Sequence, residues 1–296
     1  MRGIPRTFEL SVRINDSGGE VAAEVKDVDR LLGSGSRHIL LLVHGYNNSR
    51  NDADESYQIF IDNILPKMQN RNVTPDAIAK FQWPGDESTV FGTTVGYPFD
   101  INHALVAATR LATFLKKLPI PNQGAASVRV TFVGHSMGCR LILEALGRMT
   151  SGNVPGIEVV GLMAAASPVD FVKRSGRLFA TGNPPRQMLK FCSEQDLVLQ
   201  FGFPLGEWLA YQYQIKNNNY SEAIGRYGHP DEFGARFPRP NGHSDYWKDQ
   251  TVVDIVLKTI DATLPTMLPQ AEIAERSLPP ENEIAERNLP RRTMAC

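Results

Sequence analysis

The 296-residue sequence predicts an α/β protein in which a mainly parallel sheet is covered by helices on both faces. Two observations predict it. Short apolar runs rich in β-branched and aromatic residues recur at 38–43, 77–83, 127–133, 156–165 and 187–192, with stretches of helical periodicity between them. One of these runs, SVRVTFV, passes through GHSMG directly into a helical stripe, so strand, sharp turn and helix follow in immediate succession.

In chain order, residues 7–14 (TFELSVRI) alternate and end in NDSGG, the pattern of an edge strand or of a hairpin with residues 21–25. The GSGS at 33–36 precedes a strand instead of separating a strand from a helix, so it reads as a linker and not as a phosphate loop. HILLLV (38–43) is a fully apolar strand that runs into HGYNNSR. Residues 55–68 place Tyr57, Phe60, Ile61, Ile64 and Leu65 on one helical face, with Ser49 or Asp52 as the cap. AIAKFQW (77–83) is a strand closed by Pro84-Gly85, and residues 88–99 read as a glycine- and aromatic-rich loop whose Phe91, Tyr97 and Phe99 are candidates to touch substrate. A helix at 102–118 buries Leu105, Ala108, Leu111, Ala112 and Leu115 and stops before Pro119. Strands at 156–165 and 187–192 follow, and an amphipathic helix at 252–264 closes the predicted catalytic domain, 37–265.

The chemistry gathers at the turn. A serine at the tip of a strand-to-helix turn takes strained backbone angles, and side chains two residues to either side would collide with neighbouring chain, hence Gly134 and Gly138 around Ser136. A random chain of this length contains G-x-S-x-G about one time in ten, so the flanking strand and helix give the motif its weight. Serine needs a base, and that base an acid to orient it. In hydrolases built on this turn the order is serine, acid, histidine, and only His229 and His243 follow Ser136. His243 is the expected base, on a polar glycine-containing loop before the last helix; His229 is the alternative. Asp196, after the strand at 187–192, is the expected acid, with Asp170 and Glu194 as alternatives and a helix cap as its plain structural role. The strand ending in His44-Gly45 places the Tyr46 N–H as one oxyanion donor and the Met137 N–H as the other, with His44 bracing its loop instead of moving protons.

Residues 197–242 separate acid from histidine by more than a loop requires and contain Phe203, Trp208 and five further large apolar residues, so a lid-like insertion over an acyl group is expected, with Phe203 and Trp208 facing substrate. Residues 1–36 form an N-terminal strand or hairpin and linker. Residues 266–296 form a tail that repeats EIAERxLP at an eleven-residue interval and names no partner.

A formal net charge of −1, with no run of like charge longer than a pair such as Arg291-Arg292, indicates neither nucleic acid nor an anionic surface as partner. The three cysteines share no metal-like spacing and suggest no disulfide framework. The N-terminal MRGIPRTFEL has no apolar core of a signal peptide, and no run approaches eighteen apolar residues; a cytoplasmic protein without a transmembrane segment is the expectation.

Together LLVHGYNNS, FQWPGD, the 97–118 segment and VTFVGHSMG resemble a bacterial, esterase- and lipase-like branch of the α/β-hydrolase superfamily over residues 39–264. The branch usually has serine after its Trp-Pro pair, where this chain has Gly85. The resemblance implies the α/β-hydrolase fold and a serine esterase that works through an acyl-enzyme on a small ester or lipid, with no cofactor. A phospholipase, thioesterase or peptidase would use the same triad, and a binding or scaffold protein that kept the fold without catalysis is the alternative of a different class.

Overall fold

The computed structural model describes residues 4–15, 20–69, 71, 74–86, 93–118, 128–149, 155–179, 184–212 and 222–263, the side chains of 93–99 excepted. Eight strands form one sheet: β1 (Arg6–Arg13), β2 (Val21–Lys26), β3 (His38–Val43), β4 (Ala77–Gln82), β5 (Arg129–His135), β6 (Gly156–Met163), β7 (Gln187–Cys192) and β8 (Ala235–Pro238). Their spatial order is β2-β1-β4-β3-β5-β6-β7-β8. Only the β1–β2 hairpin pairs antiparallel; every other neighbour is parallel. The helices are α1 (Val28–Leu32), α2 (Arg50–Met68), α3 (Thr93–Lys117), α4 (Met137–Gly147), α5 (Val169–Val172), α6 (Phe203–Gln212), α7 (Ile224–Tyr227) and α8 (Gln250–Thr263).

The central strands are apolar throughout because parallel strands covered on both faces have no wet side: all six residues of β3 are buried, and from Val130 onward so are those of β5. His38 is the polar exception on β3, and its Nε2 meets Thr131 Oγ1 of β5 at 3.0 Å. Helix α2 packs beside α8, and α3 beside α4 and α6. Lys67 on α2 bonds Asp254 on α8 at 2.8 Å, and Arg71, just past α2, pairs with Asp261.

From β3 the chain crosses to β4 on one side, whereas β5 lies on the other. The connections therefore part above the carboxyl ends of β3 and β5, which opens a crevice there in a parallel sheet. His44-Gly45 follows β3, and Ser136 follows β5.

Two elements depart from the sequence reading. The helix expected to begin at 102 begins at Thr93, so 93–99 is helical backbone and not loop. The glycine- and aromatic-rich composition suggested the loop, and Gly96 and Pro98 fall within the first two turns of the helix. Phe91 lies outside the described residues, and Tyr97 is described in its backbone alone. The span 197–242 includes a strand, β8, which pairs parallel with β7 from Leu189↔Ala235 to Cys192↔Pro238. Its ARFP is short and largely exposed, as an edge strand with proline is, and carries no alternation to read. The 7–14 segment forms the expected hairpin with 21–26, and of its two strands β2 lies at the edge of the sheet.

The compact unit ends at Thr263, and the two EIAERxLP copies lie outside the described residues. Among the described residues no helix is long and apolar enough to cross a membrane.

Candidate active site

Ser136 sits between the last residue of β5 and the first of α4 with φ 51° and ψ −123°, a conformation strained for any residue with a Cβ. Its backbone is pinned from both sides: the N–H donates to Met163 O at 2.9 Å, and the C=O accepts from Ala166 N–H at 3.1 Å. A Cβ at Gly138 would lie 2.2 Å from the His44 carbonyl oxygen, and one at Gly134 would meet the Ile142 side chain at 2.5 Å. Both glycines thus let the turn close against its neighbours. Across the crevice a Cβ at Gly45 would lie 2.9 Å from Ser136 Cβ, so the turn after β3 touches the serine directly.

His44 holds that turn. Its Nδ1–H donates to Gly45 O at 2.8 Å, and its Nε2 accepts from Trp83 N–H at 3.2 Å. A carbonyl only accepts and a backbone N–H only donates, so the tautomer follows from the partners. The ring stacks on Trp83 at 5.4 Å, and burial, followed by the nearby Arg13 charge, lowers its pKa to about 3. The His44 N–H donates to Tyr57 Oη, whose hydroxyl donates to Phe81 O, each at 2.7 Å. Arg13, at the end of β1, reaches Asn48 O at 2.8 Å and Asp86 at 2.7 Å, so the hairpin props the same loop. Gly85 packs on the Trp83 ring, where a Cβ would come within 3.0 Å, and its carbonyl accepts from Asn47 N–H at 2.6 Å.

The Gly45 carbonyl is held inside the loop by His44 and by Asn48 Nδ2 at 3.3 Å. In a trans peptide the N–H points opposite to the C=O, so the Tyr46 N–H is directed away from the loop interior. Met137 opens α4, where the first N–H groups of a helix have no partner within it and the dipole is positive.

The structure brings Ser136, His243 and Asp196 into one hydrogen-bonded chain. His243 Nε2 lies 2.9 Å from Ser136 Oγ, and His243 Nδ1 lies 2.8 Å from Asp196 Oδ2. Asp196 Oδ1 accepts from Leu199 N–H at 2.9 Å, so one carboxylate both caps the following helical turn and orients the imidazole. Asp196 is fully buried, whereas the His243 side chain keeps 15% of its surface open.

The alternatives lie elsewhere. Asp170 pairs with Lys173 at 2.5 Å, exposed Glu194 pairs with Arg236 at 3.8 Å, and His229 is exposed on its own loop. Phe203 is buried at 2% exposure, and Trp208 is 43% exposed.

The loop bearing His243 is fastened by polar contacts that periodicity does not reveal. Arg239 donates twice to Asp249, at 2.8 and 3.3 Å, and Asn241 Nδ2 donates to the same carboxylate at 2.8 Å. Partial burial works against ionisation of Asp249, but these donors bring its pKa below the usual carboxylate value. Asp245 Oδ2 accepts from Gly242 N–H at 3.0 Å. Behind the loop, Trp247 meets Tyr57 and Phe60 edge-on at 5.6 and 5.8 Å. His135 Nε2 lies 2.7 Å from the His243 carbonyl oxygen, a contact across 108 residues. Beside the serine turn, Arg140 on α4 pairs with Glu207 on α6 at 2.7 Å, both side chains buried.

A cavity of about 620 Å³ lies under the C-terminal half of α8, lined among others by Arg186, Gln187, Ile255 and Thr259. It opens by the start of β7, away from the strand ends that carry Ser136 and Asp196, and has no part in the site.

Residues 20–207 match the family described as Alpha/beta hydrolase of unknown function (DUF900), a span that holds Tyr46, Ser136, Met137 and Asp196 and ends before His243. No curated protein matches the chain in sequence. Among solved structures it is similar to esterase PE8, at 14% identity over 87% of this chain and 100% of that one, with a TM-score of 0.45. It is also similar to an esterase of Pyrobaculum calidifontis, at 14% identity over 77% and 78% of the two chains with a TM-score of 0.39. Carboxyl esterase 2 of the fungus Tuber melanosporum aligns at 12% identity over 76% and 79%, also with a TM-score of 0.39.

Proposed function

The chain belongs to the alpha/beta hydrolases of unknown function, and from that premise we propose that it is a serine hydrolase cleaving a carboxylic ester through an acyl-enzyme. The observation that carries the reading is the bonded chain Asp196–His243–Ser136, with links of 2.8 and 2.9 Å, at the crevice between β3 and β5.

In this reading Ser136 Oγ attacks the ester carbon while His243 Nε2 takes its proton. Asp196 keeps Nδ1 protonated and stabilises the imidazolium that results. The carbonyl oxygen becomes an oxyanion and moves toward the Tyr46 and Met137 N–H groups; loss of one such donor costs about 3 kcal/mol in the barrier. His243 then protonates the departing alcohol. Water repeats the sequence on the acyl-serine, giving its proton to His243, and the tetrahedral intermediate expels Ser136 Oγ, which regains a proton. The positive φ at Ser136 is maintained by the two backbone bonds at its N–H and C=O.

Residues 197–212 serve in this reading as a cover on the substrate side. Leu197, Val198, Phe201, Leu205, Trp208 and Tyr211 are all exposed, and in this segment the one charged side chain, Glu207, is turned inward to Arg140. An apolar acyl group suits such a surface. The test is hydrolysis of p-nitrophenyl esters of increasing acyl length by the wild type, Ser136→Ala and His243→Ala. Loss of activity in both variants with folding intact is expected. A folded wild type that cleaves no ester would contradict the ester assignment.

A further inference from the structure

We propose that His135 is a positioning residue for the base: it holds the backbone of His243 through the His243 carbonyl and so ties base and nucleophile to the end of the same strand. The inference rests on the reading of His243 as the base.

His135 is the last residue of β5 and the neighbour of Ser136, and it is 5% exposed. A carbonyl only accepts, so the 2.7 Å contact has Nε2–H of His135 donating to His243 O. The two rings lie 5.0 Å apart, and Trp247 flanks His135 at 5.9 Å. His243 is therefore gripped twice. Asp196, beyond the end of β7, fixes its ring, and His135, at the end of β5, fixes its main chain. Asp196 alone would leave the peptide of His243 unanchored to the strand that carries Ser136.

The choice of side chain also fits the task. During the reaction His243 becomes a cation, so a neighbour that also took a proton would oppose it. Burial, followed by the closeness of His243, holds the pKa of His135 at about 3, which keeps it a neutral donor. The opposite edge of the ring packs on the oxyanion turn, since a Cβ at Gly45 would lie 2.8 Å from His135 Nδ1.

Side-chain geometry supplies a sharp test. From Cβ, Nε2 of histidine and Nε2 of glutamine lie the same number of bonds away, whereas the amide nitrogen of asparagine reaches only as far as Nδ1. His135→Gln keeps the donor and loses the ring, His135→Phe keeps a ring and loses the donor, and His135→Asn keeps polarity in the wrong place. With an ester that the wild type cleaves, kcat is expected to fall about 10- to 100-fold in the Phe and Asn variants with KM within about twofold, and to return to within about threefold of wild type in Gln. The rate at which a fluorophosphonate labels Ser136 should follow the same order. The low-field proton signal of the His243 Nδ1–H should stay sharp in wild type and Gln and broaden in Asn and Phe. If Phe cannot fold, Gln against Asn still decides. Full activity in Asn or Phe, or a Gln variant as slow as Asn, overturns the proposal. Ser136→Ala and His243→Ala run alongside: activity retained in either sinks the triad reading itself, whereas both inactive with a fast His135→Asn variant sinks only the role of His135.

Discussion

Ser136 and His243 meet at 2.9 Å, yet the two sides of that contact are held by different physics. The Ser136 side is local and steric. A strand, a strained turn and a helix contiguous in sequence close on each other because Gly134, Gly138 and Gly45 leave no Cβ in the way. The His243 side is remote and polar. His243 stands on a loop fastened by hydrogen bonds to the Asp196 and Asp245 carboxylates, by one from His135 and by the Arg239–Asp249 pair. The comparison teaches that damage to the first side should cost the fold, and damage to the second should cost the chemistry while the fold stands.

The largest effect belongs to the polar side. His243→Ala should lower kcat about 10⁵- to 10⁶-fold while the fold stands, with a moderate drop in urea midpoint because the buried Asp196 carboxylate loses its imidazole partner. A large loss of stability in this variant would break the contrast. Asp196→Asn should follow at about 10⁴-fold in kcat, since the amide keeps the shape but favours the wrong imidazole tautomer. A loss of less than about tenfold would point to an acid elsewhere.

The steric side is tested by Gly138→Ala. The added Cβ would stand 2.2 Å from a backbone oxygen, which cannot swing aside as a side-chain tip can. A destabilisation of about 4 kcal/mol or more is expected in urea unfolding. A stable variant would mean that the turn is not fixed by steric closure.

Acid should act on the same side, by a smaller amount per residue. His38, His44 and His135 all stand on β3 or β5 or directly after them, and burial is the first cause that lowers each to about 3 from an ordinary 6.5. Their folded pKa values lie below the unfolded ones, so the unfolded chain binds more protons between about pH 3 and 6.5, and stability falls as the pH drops through that window. Each contributes about 2 kcal/mol of loss at pH 5. Urea midpoints from pH 7.5 to 5 should show it, and His38→Gln, which removes one of the three contributors, should flatten the slope.

The same division decides what was legible in the sequence. GHSMG between an apolar strand and an amphipathic stripe can be read because its causes are neighbours in the chain, and the parallel strands could be read because burial on both faces leaves them uniformly apolar. The position of His243 before the last helix was legible through chain order. What held it was not: the His135 bond spans 108 residues, and no periodicity encodes a backbone carbonyl as a partner. The strand β8 was hidden for the opposite reason, since an exposed four-residue edge containing proline has no pattern to show. At α3 a glycine- and aromatic-rich composition argued for a loop, but the helix starts upstream at Thr93 and carries Gly96 and Pro98 in its opening turns. Asp196 shows that two readings of one residue need not compete, because its two oxygens do different work.

The most direct measurement of the central claim is peptide mapping after treatment with a fluorophosphonate. The account predicts a single adduct on Ser136 of the wild type and, over the same time, none on folded His243→Ala, because a serine without its base is a poor nucleophile. A wild type that stays unlabelled, or a His243→Ala variant labelled at Ser136 as fast as wild type, would contradict it.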